Sequence, residues 1–320
     1  MRPLPLPAAL AVVVAGGVAS AAQGAVNAEM GERTGVPVLG AVINNLGGCL
    51  LVLAGIVALP SMRAGLAGLR RSGLPWWTYL GGVGGAVIVL VAPVVVPVLG
   101  VAVFTIAQVA GGSLGGLAVD RAGLAATGRM PLTVPRVGGA VLGVGAVALA
   151  QLGRPIGDLA VGLVLLCVLG GLAVAGQSAL NGRVAASVGP AAGLAVNFAV
   201  STVVIGAVAA LTGALASQPR WPAQWWLYLG GLLGVGIVLS LLVGVRAAGV
   251  LRTGLALVAG QLGGALLLDL VLPGGPGVRL PVLAGALLTL LAVVVTSLRR
   301  RGPDRVAAEG APEPDGRLVG

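Results

Sequence analysis

One pattern, a glutamine and an asparagine four positions apart in an apolar run, occurs twice and constrains the rest of the chain. The first copy is Gln23-Gly24-Ala25-Val26-Asn27; the second, 154 positions later, is Gln177-Ser178-Ala179-Leu180-Asn181. Side chains four apart share one face of a helix. Other matches keep nearly the same offset. Gly40 to Asn44 resembles Gly193 to Asn197, 153 positions on. Trp76-Trp77-Thr78-Tyr79-Leu80-Gly81-Gly82 resembles Trp225-Trp226-Leu227-Tyr228-Leu229-Gly230-Gly231, 149 positions on. A repeat at about half the chain length means two structural units.

Both units read as membrane-embedded. Only 9% of residues are charged and mean hydropathy is +1.07, whereas soluble domains carry about 25% charged residues. Ten apolar runs are legible, at about 8–28, 38–58, 76–92, 97–119, 137–152, 159–181, 191–215, 225–245, 249–272 and 280–298. A run of about 20 residues spans the hydrocarbon core. The first run resembles a signal peptide at its start, but its length and its amide pair, shared with run six, predict a retained helix. The 56 glycines have no three-residue period, which excludes collagen and suits closely packed membrane helices. The expected domains are 1–152 and 159–298, five spans each, with a linker at 153–158 and a disordered tail at 299–320.

Arginine placement gives an orientation. With the N-terminus cytoplasmic, 15 of the 19 basic residues fall on the inside and four, Arg33, Arg154, Arg220 and Arg279, outside. Inner loops of membrane proteins are enriched in such residues, so both termini are expected in the cytoplasm. An odd number of spans per unit turns the second unit upside down relative to the first. Inverted repeats of this kind recur in secondary transporters. The fold class expected is therefore all-α and integral to the membrane, ten helices as two inverted five-helix repeats.

Several functions are excluded. The net charge of +10 lies in loops and one tail rather than on a face, which argues against a nucleic-acid partner. The chain has no histidine, and so none of the chemistry that depends on imidazole. Cys49 and Cys167 each lie in an apolar run and read as buried fillers, not a disulfide or metal pair. The glycine-rich stretches lack a Walker-type Gly-Lys-Ser/Thr sequence. No enzyme activity, metal or cofactor is expected.

The candidate site comes from polar residues inside the spans: Gln23, Asn27, Asn44, Asn45, Gln108, Gln177, Asn181, Asn197, Ser201 and Gln261. Single amides commonly join helices. Matched amides in both units point further, to a central cavity. Asp269 lies within Leu266-Leu267-Leu268-Asp269-Leu270-Val271-Leu272, a costly place for a carboxylate, and joins Gln23, Asn27, Asn44, Gln177, Asn181, Asn197 and Gln261 as a substrate-binding candidate. Gln108 and Asp120 in span four lie four residues further apart than Gln261 and Asp269 in span nine, a looser match. Glycine pairs spaced four apart, such as Gly81/Gly85 and Gly230/Gly234, read as packing surfaces. The Trp-Trp-x-Tyr clusters read as interfacial anchors.

Ten spans in two halves, the Gln-x-x-x-Asn of span one and the Gln-Leu-Gly-Gly-Ala-Leu-Leu-Leu-Asp of span nine resemble the drug/metabolite transporter superfamily, in its YdcZ-type branch. The resemblance covers about residues 8–298 and implies an EamA-like transporter fold, here two half-length units fused. It implies a transporter but no named cargo; the neutral amides point to a small polar drug or metabolite, and the inverted repeats to a secondary transporter working by alternating access in the bacterial inner membrane. The partners expected are that small molecule and membrane lipids, with the protein a monomer or homodimer. A non-transporting scaffold or lipid-translocating accessory is the alternative.

Overall fold

The computed structural model describes residues 5–124, 128–152, 158–272 and 278–297. The expected linker up to residue 157 and the expected disordered tail lie outside the described residues. Among those residues there is no strand. The helices are α1 (Leu6–Thr34), α2 (Pro37–Ala58), α3 (Pro60–Gly68), α4 (Gly82–Leu99), α5 (Val101–Ala122), α6 (Val134–Ala150), α7 (Asp158–Val188), α8 (Pro190–Leu211), α9 (Gly230–Val271) and α10 (Leu280–Ser297). Short 3-10 turns at Trp76–Gly81 and Trp225–Leu229 lead into α4 and α9.

Local chemistry sets these boundaries. Proline stands in the first turn of α1, α2, α3, α6 and α8, where its missing N–H costs nothing. Gly35 ends α1 at φ 72°, a left-handed conformation that only glycine adopts freely. The break between spans three and four, expected near 92–97, falls at Gly100 instead. Pro93 and Pro97 both lie inside α4. Gly100, at φ 84°, turns the chain into α5. Prolines survive inside membrane helices because neighbouring groups satisfy the backbone they free.

Seven described helical segments are long and apolar enough to cross a membrane, and Val134–Ala150, Trp225–Leu241 and Leu280–Val295 are shorter apolar helices. Large apolar side chains cover much of the outside, Val57, Val203 and Leu211 among them at 72% exposure or more. Water would penalise such a surface, and lipid does not. Trp76 and Trp225, equivalent in the repeat, are 74% and 72% exposed.

Spans eight and nine were expected as separate helices, and the structure joins them in one helical stretch of 42 residues. A straight helix of that length would run about 63 Å, twice the hydrocarbon core of about 30 Å. The chain instead reverses. A Cβ on Gly244 would stand 2.8 Å from Thr253 Cγ2, although nine residues of straight helix cover about 13 Å. Both arms then lie on α1. Gly16 meets Ser240 of the first arm, and Gly17 meets Gly260 and Gln261 of the second.

The two sequence halves interlock. α1 packs along α9, α7 along α5 and α4, α6 along α10, and α2 against α8. The main core lies around α5, where Val101 to Ala107 are all buried, and includes Val95, Cys167, Leu262 and Ala286. At the crossings glycine lets backbones touch. A Cβ on Gly111 would overlap the Val168 carbonyl, and one on Gly260 would overlap the Val14 carbonyl.

Candidate functional site

The amides gather in two clusters, one on each copy of the repeat. In the first, Gln23 Nε2 donates to Asn44 Oδ1 and to the Gly230 carbonyl, both at 2.9 Å. In the second, Gln177 Nε2 donates to Asn197 Oδ1 at 2.9 Å, and Asn181 Nδ2 donates to the same oxygen at 2.8 Å. Each cluster leans on glycines from the turn ahead of α4 or α9. Gly230 lies under Asn27 and Asn44; Gly81 lies under Asn181. A Cβ on Gly234 would stand 2.7 Å from Gln23 Nε2, and one on Gly85 would stand 2.7 Å from Gln177 Nε2. Sequence reading assigned these glycines to helix packing alone and missed that they form the floor beneath the amides. Their offset of 149, the same as for the Trp-Trp-x-Tyr clusters, was the available signal.

These contacts are reciprocal. What α1 does to the α9 segment, α7 does to the Trp76–Leu99 segment. Cys49 and Thr202, related by the 153-residue offset of α2 and α8, touch each other, with Sγ 3.1 Å from Oγ1. Asn45 Nδ2 donates to Thr202 Oγ1 at 2.8 Å beside them.

The clusters differ in burial. Gln23 and Gln177 are both half-buried, but Asn27 and Asn44 are 3% and 6% exposed, whereas Asn181 and Asn197 are half-buried. Both are electrically neutral. No aspartate or glutamate occurs in 33–119 or 159–268, the stretches that carry α2, α4, α8, nearly all of α7 and the first arm of α9. The nearest acid, Glu29, pairs with Arg33 at 2.6 Å. Amide donors and acceptors without a fixed charge suit a neutral polar or internally balanced solute better than a bare ion.

Three expected site residues stand apart from this arrangement. Gln261 Nε2 donates to Ser20 Oγ at 2.9 Å, one turn before Gln23 on α1. Asp269 is 5% exposed. Its Oδ1 accepts the Val101 N–H and its Oδ2 the Ala102 N–H, both at 2.8 Å. The carboxylate therefore caps α5, whose own N-cap, Gly100, has no side chain to do so. Gln108 lies on α5, half-buried, in neither cluster. Its backbone carbonyl lies under Gly171 where that of Leu257 lies under Gly17. Contacts here recur at 149 positions, so Asp120 matches Asp269, and Gln261 matches Gly112 rather than Gln108. The glutamines, four residues out of register, made the match between these spans look loose. Asp120 itself makes an ion pair with Arg136.

Beside the second cluster, Arg183 Nη2 donates to the Gly123 carbonyl at 2.7 Å. Its guanidinium lies 5.3 Å from the centre of the Trp77 ring, a cation–π distance. The matching position on α1 is Glu29, so the two clusters are flanked by opposite charges.

A family model described as "Putative inner membrane exporter, YdcZ" matches the chain twice, over residues 8–149 and 162–298. No curated protein and no solved structure matches it. Each matched segment holds the amides of one cluster and the glycine floor of the other. This multi-pass membrane chain belongs to the DMT_YdcZ family of the drug/metabolite transporter superfamily.

Proposed function

We propose that the protein is a secondary transporter that carries a small polar solute across the bacterial inner membrane by alternating access. One observation carries the reading: two equivalent amide clusters on glycine floors, with the asparagines buried in one and half-buried in the other. A carrier with one entrance shut and one open has this appearance. The shut side is that of Gln23, Asn27 and Asn44; the open side is that of Gln177, Asn181 and Asn197.

In this scheme the ten apolar segments form two inverted units with both termini cytoplasmic, as the arginine distribution favours. Rocking about an axis at Cys49 and Thr202 would exchange the environments of the clusters. Glycine floors suit that motion, because backbone can slide past amide without a side chain between them. The solute is neutral or zwitterionic, since no carboxylate lies among the amides. Gln261, beside Ser20, borders the path from α1. Asp269 holds α5 in place rather than binding solute. No cofactor takes part.

The test begins with a thermal-shift screen of purified protein against metabolites and drugs, since a ligand of the folded state raises its apparent stability. With a ligand in hand, the double variant Gln23→Leu/Gln177→Leu abolishes its transport in proteoliposomes while expression stays intact. Unchanged transport removes the proposed site. It would favour the alternative, in which the amides only hold helices together in a non-transporting scaffold or lipid-translocating accessory.

A further inference from the structure

A crevice of about 500 Å³ opens between α2, α3 and α8, within the usual ~300–1,000 Å³ of ligand pockets. It lies apart from both amide clusters, and Cys49 and Thr202, equivalent positions of the repeat, both line it. Its walls are apolar, formed by Val52, Ile56, Leu66, Leu69, Ala195 and Phe198. Its polar groups are already engaged, since Thr202 Oγ1 accepts from Asn45 and donates to the Phe198 carbonyl at 2.7 Å. A polar solute would find nothing to bind, whereas a hydrocarbon chain would be at home.

The segment that walls one side of the crevice is cationic. Helix α3 and the turn after it supply Leu66 and Leu69 to the wall, and the same segment carries Arg63, Arg70 and Arg71, all exposed. Arg63 Nη1 donates to the Ile56 and Val57 carbonyls, which fixes α3 under the end of α2. The stretches that build the crevice lie within 33–119 and 159–268, where the sequence has no acid. Those stretches supply no counter-charge of their own. The repeat also fails here. The positions matching α3, about 213–224, hold only the three-residue turn Ala214–Ala216 and a single arginine, Arg220. The basic helix beside this apolar slot thus has no counterpart in the second half of the chain.

We infer that this crevice is a seat for one anionic phospholipid, an acyl chain between α2 and α8 and the phosphate against Arg70 and Arg71. Juxtamembrane arginine clusters attract anionic headgroups, and the slot adds a fit for the chain. Because α3 has no counterpart, the lipid is taken from one leaflet only. Bound there, it braces α2 against α8 on one side of the molecule.

The test is native mass spectrometry of the full-length protein in detergent with added dioleoyl phosphatidylglycerol or dioleoyl phosphatidylcholine. The wild-type protein should retain phosphatidylglycerol over phosphatidylcholine by about five-fold or more, as expected for arginines acting together at a membrane surface. Two variants act on opposite ends of the site at exposed positions, which keeps the fold intact. Arg70→Gln/Arg71→Gln should remove the headgroup preference. Ala199→Phe, which fills the crevice from an exposed wall position, should lower retention of both lipids. Phosphatidylglycerol retained undiminished by Ala199→Phe would place the chain elsewhere and overturn the inference. Equal retention of the two lipids by wild-type protein would do the same, and would mark the crevice as a site for a hydrophobic solute.

Discussion

Among single residues, Asp269 shows how one position can be misjudged from its neighbours. A carboxylate between leucines in an apolar run reads as functional, because the membrane makes it expensive. Part of what offsets the cost is backbone: two N–H groups at the start of α5 that Gly100 leaves without a cap. Those donors are contributed by a helix 167 and 168 residues away in sequence, so no local pattern announced them. Replacing Asp269 by alanine should orphan both donors and cost about 1–3 kcal/mol per buried unsatisfied group. Asparagine, which keeps one acceptor oxygen, should fall between the two. Thermal unfolding in detergent measures this. A loss of transport by Asp269→Ala at unchanged melting temperature would instead assign the carboxylate to the solute. The amides were easier to read, since their spacing alone put Gln23 with Asn27 and Gln177 with Asn181. Their partners, the Gly230 carbonyl and the glycine floors, were hidden because a glycine advertises no chemistry of its own.

Among elements, apolar length carried most of the information. Nine of the ten expected runs begin within a few residues of a helix or of the 3-10 turn that leads into one, because a run of nonpolar residues long enough for the bilayer has little else to become. The differences have local causes. Helical backbone continues around the reversal between Gly244 and Thr253, so two expected helices share one hydrogen-bonded stretch. The short helix α3, which Pro60 opens, went unnoticed because its nine residues are too few to form an apolar run of membrane length. The register between α5 and the second arm of α9 was obscured by glutamines that do not correspond. That register makes a prediction. Gly111→Ala and Gly260→Ala each push a methyl group into a carbonyl, of Val168 and Val14 respectively. Each should destabilise by about 1–3 kcal/mol, as overpacking does, and the two losses should be similar. A Gly112→Ala change, at a site whose Cβ would meet nothing nearer than 3.8 Å, should cost far less. Chemical or thermal unfolding of the three variants checks the ranking.

For the molecule as a whole, the prediction concerns sidedness. If two five-span units lie in opposite orientations, cysteines placed at Ala64 and Gly310 should react with a membrane-impermeant thiol reagent from the same face, that of the cytoplasm. Labelling from opposite faces would remove the inverted arrangement and the carrier mechanism with it. Native Cys49 and Cys167 are replaced by serine beforehand; Cys167 is buried and Cys49 half-buried.

The contact between Cys49 and Thr202 has a bearing on how such a molecule diversifies. In an assembly of two identical polypeptides, a residue on the symmetry axis meets its own copy, and any mutation there alters both sides of the contact at once. Fusion into a single polypeptide ends that obligation. One side can then keep a thiol while the other takes a hydroxyl, and one can grow a basic helix that the other never acquires. Under the lipid seat inferred above, two identical halves could not favour one leaflet over the other at this spot; a single polypeptide can.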